Sequence, residues 1–451
     1  MTISTTDEGL QRRLRPRQLT MIAMGSAIGV GLFLGSSVTI RLAGPGVIIT
    51  YLYGSLVALV MAYALAEMAV VHPQAGSFGV YADKYLTPWF GFVVRATYGF
   101  IQVLAVGAEV TAVAIYMAFW FPSVPQWVWV AAVSTGLVAV NATAVSRFGE
   151  FEYWFALIKV VAIVAFIIVG LAVGFRLENL THADGGFLPN GWTGVWLALT
   201  LVITSFMGVE VVAVTAGEAE DPETSIPRAM RTLVYRLIIF YVLAVVVMLA
   251  MTPWRQLAEG GGTITGSPFV RAFSAIGIPF AASAMNFVVI TAALSSANSN
   301  LYLTSRMLFS LSRSGYGPRW LSSVNDAGVP RYAVAAASAG MVAAILLAVL
   351  ARDQAFLVLF GTAVAGMLFI WMVILITHLR FRRAMTPAEI AKLPIRMPLP
   401  TTGAIFGIVS IAAIAATTFF VDGLRYTVPS FLPFLVIMSI VYVRTHKHAG
   451  R

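Results

Sequence analysis

The chain has 451 residues, of which 59% are hydrophobic and only 11% are charged, and its mean hydropathy is +0.87. Soluble domains carry about 25% charged residues, so these values exclude a soluble globular protein and indicate an integral membrane protein. The sequence contains no cysteine, which excludes thiol catalysis, disulfides and thiolate metal sites. Its five histidines form no zinc-type pair, and no metal or cofactor is predicted.

The net charge of +10 does not indicate a nucleic-acid-binding protein, because the basic residues are scattered among short loops. Such residues are better explained by the excess of Lys and Arg that cytoplasmic loops of membrane proteins carry. Residues 1–16 are predicted to be a polar cytoplasmic tail. The apolar stretch that follows lacks a small-residue cleavage site, so no cleavable signal peptide is predicted.

At about 20 apolar residues per crossing, we predict an all-α membrane protein with twelve transmembrane helices. The segments are 17–40, 45–70, 88–120, 125–144, 150–175, 192–217, 230–251, 267–304, 331–350, 355–379, 401–420 and 427–444. The third and eighth are longer than one crossing requires, so we expect tilt or an attached surface helix. The polar stretch 217–231 is interpreted as a cytoplasmic loop, with entry to the next helix at Ile226-Pro227.

The distribution of Lys and Arg supports this topology. With the N-terminus inside, the inner loops and tails hold twenty-one of these residues and the outer loops six. Such a bias fits an even number of crossings with both termini cytoplasmic. The protein is therefore predicted to cross the membrane several times, and the resemblance described below implies that this membrane is a bacterial cytoplasmic one.

Two segments carry helix-breaking patterns, the first at residues 25–31 and the sixth around residues 205–210. Interrupted helices five crossings apart point to two inverted five-helix repeats with a site between them. The predicted division of the chain is a tail 1–16, a first repeat 17–175, a second repeat 192–380, a cytoplasmic loop 381–400, helices eleven and twelve at 401–444, and a tail 445–451.

The first interruption contains three glycines, Gly25, Gly29 and Gly31, and each costs about 1 kcal/mol in a helix relative to alanine. A helix that breaks at mid-membrane exposes backbone N–H groups, which form an anion site. The alternative is close helix packing through Gly25 and Gly29. We interpret the break as the binding site for a substrate carboxylate.

Lys159 lies nine residues beyond Glu150, which corresponds to about 13 Å along a helix. A charged side chain at that depth costs at least about 2.5 kcal/mol, and burial favours the neutral amine. Lys159 is therefore predicted to couple transport to protons; snorkelling is the alternative. Segment eight carries polar residues that could ligate the ammonium or only bond to their own helix: Ser295, Ser296, Asn298 and Ser299.

Three acidic residues are further candidates for proton coupling, because a buried carboxylate tends to be protonated unless it is paired. Glu210 directly follows the second interruption and is the strongest of them. Glu218 could instead pair with an arginine at the inner mouth, a structural role. Glu109 could also be a hydrogen-bonded core residue. The stretch 220–223 is predicted to be a solvated loop, with Arg228 or Arg306 as its gate partner.

With these motifs laid out, the chain resembles the amino acid–polyamine–organocation (APC) superfamily, most closely its bacterial amino-acid permease branch. The resemblance spans about residues 10–385. The motifs that carry it are 25–33 in segment one, 148–154 and 158–160 in segment five, 205–210 and 217–222 around segment six, and 297–299 and 305–308 in segment eight. It implies two inverted five-helix repeats and alternating access.

The resemblance also implies roles for individual residues. Backbone N–H groups would hold the substrate carboxylate at Ser26, Ala27, Ile28, Gly29, Val30 and Gly31. The carbonyl oxygens of Ser205, Phe206 and Gly208 would accept from the substrate ammonium. Phe206 would close over the side chain, or would be ordinary packing. Lys159 would occupy the region in which sodium-coupled relatives bind an ion. Arg95 departs from the family pattern, and Arg95 and Glu67 are predicted to be gate or interface residues.

The predicted function is a secondary transporter that imports an amino acid with protons across the lipid bilayer. A neutral substrate would fit Met207, Val209 and Phe206, whereas Glu210 would suit a cationic one; we favour the neutral one. The alternatives are an amino-acid exchanger, and less favourably a sensor or channel. No catalytic constellation is found, so an enzyme is not predicted. The sequence leaves open whether the protein is a monomer or a dimer.

Overall fold

A computed structural model gives the fold of the chain. It describes residues 14–25, 29–33, 35–74, 76–143, 145–182, 185–259, 268–275, 280–350, 355–421, 424–425 and 427–449. Across these residues the chain is helical, and the only extended pairing is an isolated bridge between Leu14 and Ala219.

The first half contains nine helices among the described residues. They are α1 Pro16–Gly25, α2 Val30–Phe33, α3 Gly35–Ala43, α4 Val47–Val71, α5 Ser77–Tyr85, α6 Pro88–Met117, α7 Gln126–Asn141, α8 Val145–Val169 and α9 Glu178–Thr181. A π-helical turn, Gly170–Gly174, extends α8.

The second half continues with thirteen further helices in the described ranges. They are α10 Gly191–Val202, α11 Val211–Thr215, α12 Pro222–Arg236, α13 Ala244–Met251, α14 Trp254–Ala258, α15 Pro268–Ala275, α16 Ala281–Arg313, α17 Arg331–Ala337, α18 Ala339–Leu350, α19 Ala355–Ala384, α20 Pro387–Ala391, α21 Pro400–Thr417 and α22 Thr427–Ala449. A π-helical stretch, Leu237–Leu243, joins α12 to α13.

Six stretches of the described helices are long and apolar enough to cross a membrane, judged by length and composition: Gly35–Val71, Pro88–Met117, Phe148–Ala172, Gly191–Glu218, Ala363–Ala384 and Pro400–Phe420. Four shorter apolar helices accompany them. Each of the twelve predicted segments coincides with one or more helices of the structure. The chain is therefore an all-helical, multi-pass membrane protein, while the arrangement in two inverted repeats stays a prediction.

The stretch 217–231 is not a loop throughout, so this prediction is wrong. Helix α12 begins at Pro222 and carries Pro227 in its interior. Pro222 stands at the first position of the helix, where a backbone N–H would lack a helical partner, whereas Pro227 removes one hydrogen bond from the second turn. The polar composition of 222–231 reflects a helix that extends into water beyond the apolar stretch.

Two further differences concern helix boundaries. A short helix, α5, lies between segments two and three, where none was predicted. Segment eight contains α15 and then α16, which runs to Arg313 and not to residue 304. The extra turns of α16 carry Arg306, which pairs with a buried acid and so holds the helix against its neighbours.

Helix α6 lies at the centre of the bundle, where it packs against α5, α7, α16, α18, α19 and α22. Two glycines allow α6 and α18 to pack closely, because a Cβ at Gly107 would lie 2.6 Å from the carbonyl oxygen of Gly340 on α18. A Cβ at Gly340 would in turn lie 1.7 Å from the carbonyl oxygen of Val103. Small residues at such positions let helix backbones pack closely in membranes.

Candidate substrate and proton site

The first segment is interrupted at the glycine-rich stretch. Helix α1 ends at Gly25, Gly29 lies in a bend, and α2 begins at Val30. Ser26, Ala27 and Ile28 lie outside the described residues, as does the side chain of Val30. The carboxylate-binding role assigned to residues 26–31 therefore stays a prediction, although α1 and α2 are separate helices as expected.

The sixth segment is interrupted where the sequence indicated. After α10 the chain forms a 3₁₀ turn, Ile203–Phe206, then a turn at 207–210, and helix resumes at Val211. Gly208 has φ +95°, a conformation that favours glycine over residues with a Cβ. The glycine is thus the residue that lets the main chain leave the helical path.

The parts of the chain next to the two interruptions contact each other, because α2 packs against Ile203–Phe206 and also against α16. Gly29 faces polar atoms of two other helices. A Cβ built on it would lie 2.8 Å from Ser296 Oγ on α16 and 2.9 Å from Glu109 Oε1 on α6. A side chain at this position would force the ends of Ser296 and Glu109 to move, whereas glycine lets both polar atoms approach the main chain of the break.

The three carbonyl groups predicted to bind the substrate ammonium have donors within the protein. The Tyr241 hydroxyl donates to the backbone carbonyl oxygen of Ser205 at 2.8 Å. The N–H of Val209 donates to Phe206 at 3.3 Å, and that of Val211 donates to Gly208 at 3.2 Å. Each carbonyl oxygen has two lone pairs, so a second hydrogen bond to a ligand remains compatible with this arrangement.

Phe206 is completely buried and lies in an aromatic cluster. Its ring centroid is 4.8 Å from that of Tyr241 and 6.2 Å from that of Tyr51. A Cβ on Gly54 would approach the Phe206 ring to 2.7 Å, so the ring packs directly on the backbone of α4. The ring is therefore well packed in this conformation, and its role as a gate stays a prediction.

Glu210 is fully buried directly behind the second interruption. Its Oε2 accepts from the backbone N–H of Gly208 at 3.1 Å, and its Oε1 accepts from the Tyr98 hydroxyl at 3.2 Å. Gln102 extends this network by donating to Tyr98 at 3.0 Å and to Asn300 on α16 at 3.1 Å. The Glu210 carboxylate thus stabilises the turn and connects it to α6.

Glu109 is 7% exposed on α6 and accepts a hydrogen bond from Ser296 Oγ at 2.7 Å. This contact and the approach of Gly29 place Glu109 at the break in the first segment. Glu109 and Glu210 are therefore near different parts of the candidate site. The first is beside the break of segment one, and the second supports the break of segment six.

Lys159 is fully buried on α8 and donates to Ser295 Oγ on α16 at 2.8 Å. The Ser295 hydroxyl in turn donates to Glu152 Oε1. Asn298 donates to Glu152 Oε2 at 3.3 Å, and Asn141 on α7 donates to Asn298 at 2.7 Å. The predicted polar cluster on segment eight thus contacts Lys159 through Ser295, whereas Ser296 contacts Glu109 and Asn298 contacts Glu152.

Glu218 forms a buried, two-pronged ion pair with Arg306. The Arg306 Nε lies 2.7 Å from Oε1, and its Nη2 lies 3.3 Å from Oε2. The guanidinium also lies 3.8 Å from the centroid of the Tyr302 ring, which stacks on Phe148 at 4.0 Å. Between the alternatives of a relay and an arginine pair, the described contacts place Glu218 in the pair.

The first described residues of the chain lie beside the Glu218–Arg306 ion pair. Leu14 makes two backbone hydrogen bonds on either side of Ala219. Its N–H donates to the carbonyl oxygen of Glu218 at 3.0 Å, and its carbonyl oxygen accepts from the N–H of Glu220 at 3.1 Å. Arg17 binds Glu150 at 2.8 Å at the start of α8. The ion pair Glu218–Arg306 is therefore covered from the side on which the chain begins.

Arg95 and Glu67 are held in polar clusters away from the interruptions. Arg95 donates to the oxygen of Gly91 at 2.8 Å and to Ser314 Oγ at 2.7 Å, and it pairs with Asp83 at 3.4 Å. This cluster ties α5 and α6 to the end of α16.

Glu67 binds His378 Nε2 at 2.7 Å and Arg382 Nε at 2.8 Å, and it accepts from the backbone N–H of Met397. These contacts join α4 to α19 and to the chain that follows α20. Both Glu67 and Arg95 therefore lie at helix–helix contacts, in keeping with the interface role that was one of the two predicted.

Several residues of these networks were missed by sequence reasoning, among them Glu152, Tyr241 and Tyr98. Glu152 lies seven residues before Lys159, so both are on one face of α8, and this spacing was a readable signal. Tyr241 and Tyr98 are tyrosines within apolar runs, where a buried hydroxyl needs a partner. That rule marks them as site candidates but does not name Ser205 and Glu210 as their partners.

Comparisons with known proteins identify the family of the chain. A family model described as "Amino acid permease" matches residues 18–447. The uncharacterized amino acid permease YtnA of Bacillus subtilis (strain 168) is 38% identical over 450 residues, which cover 96% of this chain and 95% of YtnA. The aromatic amino acid transport protein AroP of Escherichia coli (strain K12) is 38% identical over 452 residues, covering 98% and 97%.

AroP of Salmonella typhimurium (strain SL1344) is 41% identical over 385 residues, which cover 84% of this chain and 83% of that protein. The family match and these relatives confirm the resemblance seen in the glycine, segment-five, segment-six and segment-eight motifs. The family consists of transporters and not of enzymes. The chain therefore belongs to the amino acid permease family of the APC superfamily.

Proposed function

We propose that this permease imports neutral amino acids, with aromatic ones the first to be tested, by proton-coupled alternating access. The observation that carries the proposal is the contact between two interrupted segments. Helix α2 packs on Ile203–Phe206, and Gly29 faces the buried Glu109 and Ser296. Interrupted membrane helices of this kind provide unpaired main-chain groups for both ends of an amino acid.

The substrate would lie between the two breaks. Backbone N–H groups of residues 26–31 hold its carboxylate, and the carbonyl oxygens of Ser205, Phe206 and Gly208 accept from its ammonium. The second lone pair on each of these oxygens supports this assignment. The two breaks belong to inverted repeats, 17–175 and 192–380, with helices eleven and twelve outside them.

The surroundings of Glu210 favour a neutral substrate over a cationic one. Both of its oxygens accept hydrogen bonds from the protein, from Gly208 and Tyr98. A cationic side chain would have to compete with these donors. The aromatic cluster of Phe206, Tyr51 and Tyr241 provides apolar surface beside the break. Because the relative AroP is an aromatic amino acid transport protein, aromatic amino acids are the first substrates to test.

Lys159 is proposed to couple transport to protons, with Glu109 and Glu210 as further candidates. A lysine buried in the middle of an apolar helix is costly unless its ammonium is paired or the side chain is a neutral amine. Substrate binding and helix rearrangement would change those costs, and so would change the proton occupancy of the buried groups.

The pair of Glu218 and Arg306 is proposed as the inner gate. It is buried, it is covered by the chain around Leu14, and the topology predicted from Lys and Arg places it on the cytoplasmic side. The protein would then be a multi-pass component of a bacterial cytoplasmic membrane with both termini inside.

Uptake by reconstituted protein tests this function. Purified permease in proteoliposomes is loaded with unlabelled phenylalanine, and counterflow of tritiated phenylalanine is measured with a panel of amino acids as competitors. We expect counterflow, competition by neutral amino acids, and accumulation above equilibrium when the outside is made acidic. Counterflow without any effect of the pH gradient would indicate an exchanger. A single-channel current would indicate a pore.

A further inference from the structure

Glu152 is a buried carboxylate that has no role in the mechanism proposed above. This carboxylate is 0% exposed within the membrane-crossing stretch Phe148–Ala172. We propose that Glu152 is the proton partner of Lys159, so that the coupling proton moves between the Lys159 ammonium and the Glu152 carboxylate through the Ser295 hydroxyl. The proposal rests on the proposed transport function, and it adds Glu152 to the residues that carry the coupling proton.

The geometry forms a continuous chain of hydrogen bonds. Lys159 Nζ donates to Ser295 Oγ at 2.8 Å, and Ser295 Oγ donates to Glu152 Oε1. Lys159 and Glu152 lie seven residues apart, about 10 Å along α8. The long lysine side chain leans toward the helix N-terminus, which brings its ammonium to the same serine that the carboxylate contacts.

The second carboxylate oxygen is fixed from another helix. Asn298 donates to Glu152 Oε2 at 3.3 Å, and Asn141 on α7 donates to Asn298 at 2.7 Å. These two amides orient the carboxylate so that Oε1 faces Ser295. Four polar side chains from three helices thus surround a group that costs several kcal/mol to bury alone.

The charged groups on neighbouring elements have other partners or, as Arg313 at the end of α16, are exposed. On α1, Arg17 pairs with Glu150 near the exposed start of α8. On α16, Arg306 pairs with Glu218 and stacks on Tyr302. In Leu237–Leu243, the Tyr241 hydroxyl binds the Ser205 oxygen. Helices α7 and α13, which also contact α8, carry no charged residue.

The proposed step conserves charge and atoms. One N–H bond of the Lys159 ammonium breaks as the proton bonds to Ser295 Oγ, and the proton of that hydroxyl bonds to Glu152 Oε1. The products are a neutral amine and a neutral carboxylic acid, and no electron is exchanged. Both forms have zero net charge, so the transfer avoids an isolated buried ion. Glu152 lies nearer the predicted cytoplasmic end of α8, toward which it would release the proton.

The test uses full-length protein in proteoliposomes with tritiated phenylalanine. Glu152→Gln keeps the shape of the side chain and removes its ability to take up a proton. We expect this variant to retain measurable counterflow, and to lose both accumulation under an inward proton gradient and proton influx reported by entrapped pyranine. Its counterflow should also lose the pH dependence of the parent protein. The matched control is Glu178→Gln, an exposed acid on α9, which should behave as the parent.

The outcomes separate this proposal from the transport function. If the parent protein shows neither counterflow nor accumulation, the transport function fails. If the parent accumulates phenylalanine and Glu152→Gln does so equally, with an unchanged pH profile, Glu152 is not the proton partner. Loss of counterflow in a folded Glu152→Gln protein would also overturn the proposal, because it would assign the residue to translocation itself.

A second variant covers the case in which Glu152→Gln does not fold. Ser295→Ala removes the bridging hydroxyl and leaves both charges in place. We expect gradient-driven accumulation to slow by at least about tenfold while counterflow remains measurable. Unchanged accumulation in Ser295→Ala would exclude transfer through this hydroxyl.

Discussion

The ion pair between Glu218 and Arg306 is expected to stabilise the inward-closed state of the transporter. Both side chains are at most 2% exposed and are joined by two contacts, at 2.7 and 3.3 Å. Removing one partner of a buried ion pair costs about 3–5 kcal/mol, because the other charge is left buried and unpaired. A change of about 3 kcal/mol shifts a two-state equilibrium by about 10²-fold. We therefore expect Arg306→Ala to shift the protein strongly toward the inward-open state.

The absence of cysteine from the sequence makes this shift measurable by labelling. Ser299 is 1% exposed and lies two turns of α16 from Arg306, on the same face and closer to Ser296. A Ser299→Cys protein should react slowly with N-ethylmaleimide, and addition of Arg306→Ala should raise the rate by about 10²-fold. Arg313→Ala, an exposed arginine on the same helix, is the matched control and should leave the rate unchanged.

The double variant Glu218→Ala with Arg306→Ala sharpens the test. Removal of both charges leaves none unpaired, so labelling should be slower than in Arg306→Ala alone. If a folded Arg306→Ala protein labels at the parent rate, the pair is static packing and the gate assignment is refuted.

The remaining predictions concern Gly29 and His72. Gly29→Ala would place a methyl group 2.8 Å from Ser296 Oγ and 2.9 Å from Glu109 Oε1, so both atoms would have to move. Disturbing their 2.7 Å hydrogen bond costs about 1 kcal/mol, so thermal unfolding should occur at lower temperature and substrate affinity should fall. Gly35→Ala, with open space around its Cβ, is the control, and equal effects in both would contradict the interpretation. Burial lowers the pKa of His72, so the unfolded chain binds more protons and stability should fall as the pH drops below about 6.5. His72→Gln should reduce this loss in melting curves between pH 7 and 5; an identical slope would exclude His72 as its source.

The sequence was sufficient to predict the class of protein and the positions of the helix breaks. Hydrophobic run length reflects bilayer thickness, and the glycine pattern reflects main-chain geometry, so both are readable locally. The second break depends on Gly208 having positive φ, and glycine is the residue type that adopts it readily. Lys159 was also identifiable, because a single charge in a long apolar run is conspicuous.

The partners of these groups could not be predicted in the same way. Whether Glu218 paired with Arg306 or acted in a relay depends on packing between distant helices. The pairing of Arg95 with Ser314 and Asp83 depends equally on tertiary structure. Polarity misled at 222–231, because a polar stretch is compatible both with a loop and with a helix that extends into water.

A cryo-EM structure of the permease in nanodiscs with bound phenylalanine tests most directly whether the two breaks form the substrate site. We predict density with its carboxylate against the main chain of residues 26–31 and its ammonium against Ser205, Phe206 and Gly208. Density for the amino acid elsewhere in the bundle, with helix continuing through both breaks, would contradict this account.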